Sequence, residues 1–355
     1  MANVNVFFER YKKQIGIVLL LSLLLWSALR WYDKQHPKPD MAFWITDDVL
    51  NLSDSEENIL FAAKGSPVYL HLMDIVWDDD KQFAFPTAQL KVEKPLPEKL
   101  ALIPVIGISN EVFTHLDEEG AGILGEMIAA RIGDKFTSKG GLDNNMQSIL
   151  LDCEWTPLTK VRYFAFVNAV AEFFSCPVEV SIRPHQAYNL EKMGIPPVKR
   201  ALLLYDKFCL PDGSVCTDPI LSRNLGNDQQ GLAAYPLPLD VGISLGSIGE
   251  IKRAENTVFI PRIDKSEIAD TTAFQQINSN EYLVLEDGNI NNVPVLEGET
   301  ILVRETPPAE LKNTLSMLKK QLRKEKRIIC FLPFDQSISD LHAAGKLAEL
   351  LELMK

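Results

Sequence analysis

The chain has 355 residues, 46% of them hydrophobic, and a formal net charge of −12. These values describe a folded globular protein and exclude a disordered one. The acidic balance argues against nucleic acid as a partner, because phosphate binding needs clustered Lys and Arg. The one dense basic run, Gln321 to Arg327, precedes an apolar strand and reads as a solvated helix end.

The first predicted element is an N-terminal membrane anchor. Residues 15–29, "IGIVLLLSLLLWSAL", are uncharged and apolar on every face, and Trp31 and Tyr32 extend the segment. With those aromatics the run approaches the roughly 20 residues needed to cross a bilayer. Arg10, Lys12 and Lys13 precede it, and no small-x-small cleavage pattern follows, since Trp26 stands where a small residue is required. The expected organisation is a cytoplasmic N-terminus (1–14), a transmembrane signal anchor (15–32), a proline-bearing linker (33–40) and a folded domain from 41 to 355. Its expected location is the inner membrane, single-pass, with the folded domain in the periplasm or outside the cell.

Eight apolar, strand-like runs follow. They start at Met41, Pro67, Leu100, Gln147, Val178, Arg200, Pro238 and Arg327. Helical patterns fill most gaps: "EEGAGILGEMIAARIGDKF" before the fourth strand, "PLTKVRYFAFVNAVAEFF" after it, "PAELKNTLSMLKKQLRK" before the eighth, and "SDLHAAGKLAELLELMK" at the end. Thr156 is placed to cap the second of these, with Pro157 in its first turn. Strands alternating with helices predict an α/β fold, a (β/α)₈ TIM-type barrel. The surplus over the usual ~250 residues of that fold falls between strand seven and the helix before strand eight. Residues about 255–305 are rich in Asn, Asp, Gly and β-branched residues, and read as an inserted set of β-hairpins. No glycine-rich loop follows an early strand, so neither a dinucleotide nor a P-loop signature is present. The five cysteines are odd in number, and Cys209 and Cys216 flank a Pro-Asp-Gly turn that suits a small disulfide loop. No C-x-x-C pair exists and the five histidines are scattered, so no structural metal and no cofactor are expected.

In a barrel of this type active sites lie at the C-terminal ends of the strands. The fourth strand ends "LLDCEW", and its period of two puts Asp152 and Glu154 on one face with Ser148 and Leu150. Ile149, Leu151 and Cys153 then point to the helices. Two adjacent carboxylates repel and need a reason. One reason is glycoside chemistry, in which one acid stays protonated to donate to a leaving oxygen and a nearby charge raises its pKa. The other is structural, with the acids capping helices or bridging to Arg183. The residues alone leave both open. Other strand ends offer Arg183 and His185, Tyr205 and Asp206, and His71 and Asp74. Trp44, Trp77 and Trp155 are candidates to stack on sugar rings. A metal-dependent hydrolase built on His71, Asp74 and His185 is a third reading, without tight ligand spacing.

"LLDCEW" together with "LLLYD" resembles the family-18 chitinase barrel, whose fourth strand ends Asp-x-Asp-x-Glu and whose sixth ends Met-x-Tyr-Asp. By that resemblance Glu154 would be the general acid and Asp152 would orient the substrate's acetamido group, which serves as internal nucleophile. Tyr205 would hydrogen-bond to that group and Asp206 would line the site. The sequence departs from the family at Leu150, where an acid stands, at Ser148, where a glycine stands, and in the tryptophan lacking from "ICFLPFD". From Met41 to Lys355 the order "FWITDDVL", "VYLHLMDIVWDDD", "IPVIGI", "YPLPLDVGISLG" is similar to an uncharacterised bacterial family of secreted, chitinase-like barrels. Two functions follow as expectations. The first is a membrane-anchored glycosidase-like barrel acting on a polysaccharide. The second is a catalytically inactive glycan-binding or scaffolding subunit of a cell-envelope assembly with protein partners.

Overall fold

The computed structural model describes residues 17–27, 30–31, 37–62, 66–87, 89–94, 96, 100–137, 145–205, 232–245, 247–253, 257–260, 263, 265–269, 272–290, 293–304, 308–334, 338 and 345–354. Asp206, Cys209 and Cys216 lie outside these residues, and so does the disulfide expected between the two cysteines.

Eight described strands close into a parallel barrel. They are β1 (Asp40–Ile45), β2 (Val68–Asp78), β3 (Ala101–Ile108), β4 (Ile149–Asp152), β5 (Val178–Ile182), β6 (Ala201–Tyr205), β7 (Leu239–Ser244) and β8 (Ile328–Leu332). Each pairs in parallel with the next, and β8 returns to β1 through Asp40↔Ile328 to Phe43↔Phe331. All eight predicted runs are barrel strands.

Two apolar layers follow from strand alternation. Ala42, Trp44, Tyr69, Leu150, Leu202 and Leu204 fill the barrel interior. Ile149, Leu151, Cys153, Ala201, Leu203 and Tyr205 belong to the larger layer between strands and helices. The longer helices of the barrel domain are α1 (Asp54–Ala62), α2 (Glu118–Thr137), α3 (Lys160–Phe173), α4 (Pro308–Gln321) and α5 (Lys346–Leu353). In α3 the buried residues are Tyr163, Phe166, Val167 and Val170, the spacing of a single helix face.

The cap of α3 differs from expectation. Thr159, not Thr156, is the N-cap residue, and Thr156 and Pro157 lie in the preceding turn. The Thr159 hydroxyl accepts the Thr156 N–H at 2.9 Å, and the Thr156 carbonyl accepts the N–H groups of Thr159 and Lys160. The turn is therefore closed on itself before the helix begins.

Between β7 and α4 the chain builds a five-stranded antiparallel sheet, in the order Thr257–Ile260, Ile248–Lys252, Thr300–Arg304, Glu281–Val284, Phe274–Gln276. It has its own core, which includes Ile251, Ile260, Tyr282, Ile301 and Val303. The sheet opens at Ile248, ahead of the Asn-rich stretch that marks it in the sequence.

Residues 17–27 are helical. Among the described residues no helix is long and apolar enough to cross a membrane. The rest of the predicted 15–32 anchor falls largely outside the described residues, at 15–16, 28–29 and 32.

Candidate functional site

The chemistry collects at the C-terminal mouth, where a cleft of about 900 Å³ lies over β2 to β5. Asp74, Asp152, Glu154, Arg183 and His185 are among its lining residues. Asp152 ends β4 on the inward face and is held tightly. The Ser181 hydroxyl donates to its Oδ1 at 2.5 Å, and Arg183 Nη1 donates to the same oxygen at 2.9 Å and to Ser181 Oγ at 2.9 Å. Ser181 shares the inward face of β5 with Glu179, because Val178, Val180 and Ile182 all face the helices. An arginine bonded to a carboxylate and sharing a hydroxyl with it is a strong, charge-assisted pair.

Glu154, two residues on, is 44% exposed in the cleft. His185 lies beside it, with Nε2 3.6 Å from Glu154 Oε1. That is too far for a hydrogen bond. Burial, and then the Arg183 charge, push the His185 pKa down from its ordinary value, so at neutral pH the imidazole is mainly neutral. The backbone around Glu154 is anchored on both sides. Gln186, itself buried, donates to the Trp155 carbonyl at 2.9 Å. The Thr159 hydroxyl donates to Asn110 Oδ1 at 2.6 Å, tying the turn to the loop after β3. The glutamate thus stands on a rigid support with its carboxyl toward solvent.

A third carboxylate reaches the mouth by a route that strand counting misses. The register of β2 on β3 runs His71↔Val105, then Met73↔Ile106, so one residue is extra. This β-bulge turns both Leu72 and Met73 outward into the helical layer. His71 and Asp74, three apart, then meet, with His71 Nε2 3.4 Å from Asp74 Oδ1. Asp74, Gly107 and Asp152 form one row across β2, β3 and β4. A Cβ on Gly107 would lie 1.9 Å from Asp74 Oδ1, so the absent side chain is what admits the acid. A glycine in the otherwise bulky "LIPVIGI" was the available sequence signal. Gly107→Ala is expected to destabilise by about 1–3 kcal/mol through overpacking. Adding Asp74→Ala to it should recover most of that loss in urea denaturation.

Several expected site residues lie elsewhere. Trp155 is 1% exposed. Its indole donates to the Met193 carbonyl at 3.0 Å and stacks on Tyr163 at 5.2 Å. Asp152 and Glu154 point inward, so the next odd residue, like Cys153, belongs to the outer layer. Trp44 is 2% exposed and plugs the barrel interior against Tyr69. Trp77 lies against His115, ring on ring at 4.5 Å, outside the cleft lining. Tyr205 faces the helices beside Tyr188, because Leu202 and Leu204 take the inward positions of β6. The sugar-stacking placement of Trp44 and Trp155, and the inward placement of Tyr205, are therefore corrected by parity and burial. Trp155→Ala should cost about 3–5 kcal/mol of unfolding free energy, as a core truncation does, which thermal or urea denaturation would measure.

His71, Asp74 and His185 do not form a ligand cluster. Among the described residues, the group whose candidate metal-ligand atoms lie within 4.8 Å of one another is Asp79, Glu111 and His115, all exposed.

A scan against family models and a search of curated proteins give no match. Among solved structures, the chain is similar to the spore cortex-lytic enzyme SleL of Bacillus megaterium, at 12% identity over 84% of this chain and 71% of that one, with a TM-score of 0.45. It is similar to a chitinase from Chromobacterium violaceum at 10% identity, over 87% and 98% of the two chains, with a TM-score of 0.44. A third is the xylanase-A-amylase inhibitor protein XAIP-III, at 10% identity over 89% and 97%, with a TM-score of 0.45. At these scores no activity is carried across, and the barrel assignment rests on the closed ring of strand pairings.

Proposed function

We propose that the cleft is a glycan site of glycoside-hydrolase type, with Glu154 as general acid and Asp152 as its partner. The observation that carries this reading is a half-exposed Glu154 in a 900 Å³ cleft beside Asp152 and Asp74. A glycoside hydrolase needs a carboxyl that can reach the leaving oxygen and a second acid near the reacting carbon. Arg183 Nη1 binds Asp152 Oδ1 at 2.9 Å, and Glu154 is the more exposed of the two acids, at 44% against 20%, so this reading gives it the proton transfer. The test is a hydrolysis and glycan-array screen of the full chain in detergent. Cleavage of a polysaccharide supports the reading, and neither binding nor cleavage across the screen sinks it.

A second reading, a glycan-binding barrel without hydrolysis, is favoured by two observations. Asp152 Oδ1 is already engaged by Ser181 and Arg183, and Tyr205 is turned from the mouth. Binding without cleavage in the same screen would select it.

The proposed setting is a membrane-anchored barrel outside the cytoplasm. From Ile17 to Trp26 every large apolar side chain is 56–63% exposed, and water is a poor solvent for a helix apolar all round. Lipid is the medium that suits it. Cells expressing the full chain should carry it in the alkaline-washed membrane fraction, and recovery in the wash would count against the anchor.

A further inference from the structure

The charge on the cleft bears on which glycans it can take. Four carboxylates line it, Asp48, Asp74, Asp152 and Glu154, together with the Arg183 guanidinium and the His185 imidazole. His71 stands beside Asp74 at 3.4 Å. Among the described residues the acids at the cleft therefore outnumber the bases whichever way the two imidazoles titrate. The guanidinium is engaged with Asp152, at 2.9 Å. One wall of the cleft is the hairpin of Val68–Asp78 and Phe83–Thr87. The cation in its turn, Lys81, pairs with Asp78 at 2.8 Å, and Asp79 and Asp80 share that turn. The hairpin thus adds no excess of positive charge to the rim.

The acids are spread rather than gathered. Asp48 follows β1, Asp74 is on β2 and Asp152 ends β4. Asp74 and Asp152 stand two strands apart in one row, which is about 10 Å at the usual strand spacing. Among the described residues, the trio with candidate ligand atoms within 4.8 Å of one another is Asp79, Glu111 and His115, and none of these lines the cleft. The cleft acids are not grouped to share one ion. A ligand with cations distributed along its length matches them better. Asp48 is exposed, and the Asp74 carboxyl, admitted by the β2 bulge and by Gly107, is 43% exposed, so both are open to such a ligand.

A cleft lined by one sign of charge focuses its field on what enters. A uronate or sulfated sugar meets repulsion from each acid. A neutral N-acylated sugar gains no charge pairing from them. A sugar with a protonated amine gains a charge-assisted hydrogen bond. We propose that the cleft selects a cationic glycan, a polymer of hexosamines bearing free, protonated amines, with Asp74 and Asp48 supplying the selecting charge. This rests on the glycan reading of the cleft and holds with or without cleavage of the bound chain.

The test titrates the full chain in detergent, calorimetrically, at about pH 5.5. The probes are a β-1,4-linked glucosamine hexamer, the matching N-acetylglucosamine hexamer, a galacturonate hexamer and hexalysine. The amine hexamer is expected to bind about tenfold or more tighter than the acetylated one, with the galacturonate weakest. That preference should shrink as salt is raised from about 50 to about 500 mM, because screening shortens the reach of the acids. Asp74→Asn and Asp48→Asn should each cut it by about threefold or more. Glu172→Gln, on the exposed surface of α3 and outside the cleft lining, should leave it unchanged. If Asp74→Asn fails to fold, Asp48→Asn decides. Equal binding of the amine and acetylated hexamers overturns the charge selection and leaves the glycan reading standing. A preference kept in both Asn variants, lost equally in Glu172→Gln, or insensitive to salt also overturns it. Hexalysine bound as tightly as the amine hexamer overturns it in favour of a basic peptide. No binding of any probe overturns both readings for these ligands.

Discussion

Replacing Glu154 by Gln should lower hydrolysis of any cleaved glycan by about 10²- to 10⁴-fold, the usual worth of a positioned general acid. The amide keeps the shape of the carboxyl and cannot deliver a proton. Because Glu154 is 44% exposed and outside the core, the exchange should move Tm little and leave glycan affinity nearly unchanged. The signature is therefore a fall in kcat without a matching rise in KM. A Gln variant that cleaves as fast as the parent would remove Glu154 from the role. The neighbouring acid should behave differently. Asp152 is held by Ser181 and Arg183, so its removal takes a charged partner from a mostly buried guanidinium and brings a stability loss along with any kinetic one.

Glu179→Gln should change how stability depends on pH. The carboxyl has its pKa raised from 4.5 to about 7 in the folded chain, by burial first and by Asp240 second. A raised acid binds its proton more tightly when folded. Its stabilising share is complete below about pH 4.5 and is lost as pH rises through about 7. A shift of that size corresponds to about 3 kcal/mol. Urea denaturation at pH 5 and pH 8 should show the parent losing up to that amount relative to the Gln variant, which has no proton to lose. At pH 8 the variant should be the more stable protein. Parallel pH profiles for the two chains would show that Glu179 does not titrate in this range.

The eight strands were legible because each is an apolar run of strand length bounded by turn or helix signals. Parity within β4 was legible too: Leu150 faces in, while Ile149, Leu151 and Cys153 face out. The failures have physical causes. Tyr205 was placed at the mouth by likeness of motif, whereas the inward Leu202 and Leu204 already set the opposite parity for β6. Trp155 follows an inward acid and so belongs to the outer layer, where the Met193 carbonyl takes its N–H. The β2 bulge leaves no mark on composition, because Leu72 and Met73 look like any two core residues. Ser181 belongs to no motif, and only the folded barrel sets its hydroxyl on Asp152. Glu179 and Asp240 were invisible as a pair because 60 residues of chain, β6 among them, separate them, and only barrel closure brings them together.

The pairing of Asp74 with Gly107 has a consequence for inheritance. The present position of the acid depends on the missing side chain at a distant site, since a Cβ at 107 would sit almost on the Asp74 oxygen. A descendant barrel that fills position 107 has to move the Asp74 carboxylate from its present place or bear the cost of the contact. Deleting either bulge residue would likewise silence the acid without mutating it. The folded mouth takes Asp74 from β2, so reading β4 alone undercounts the acids at this site.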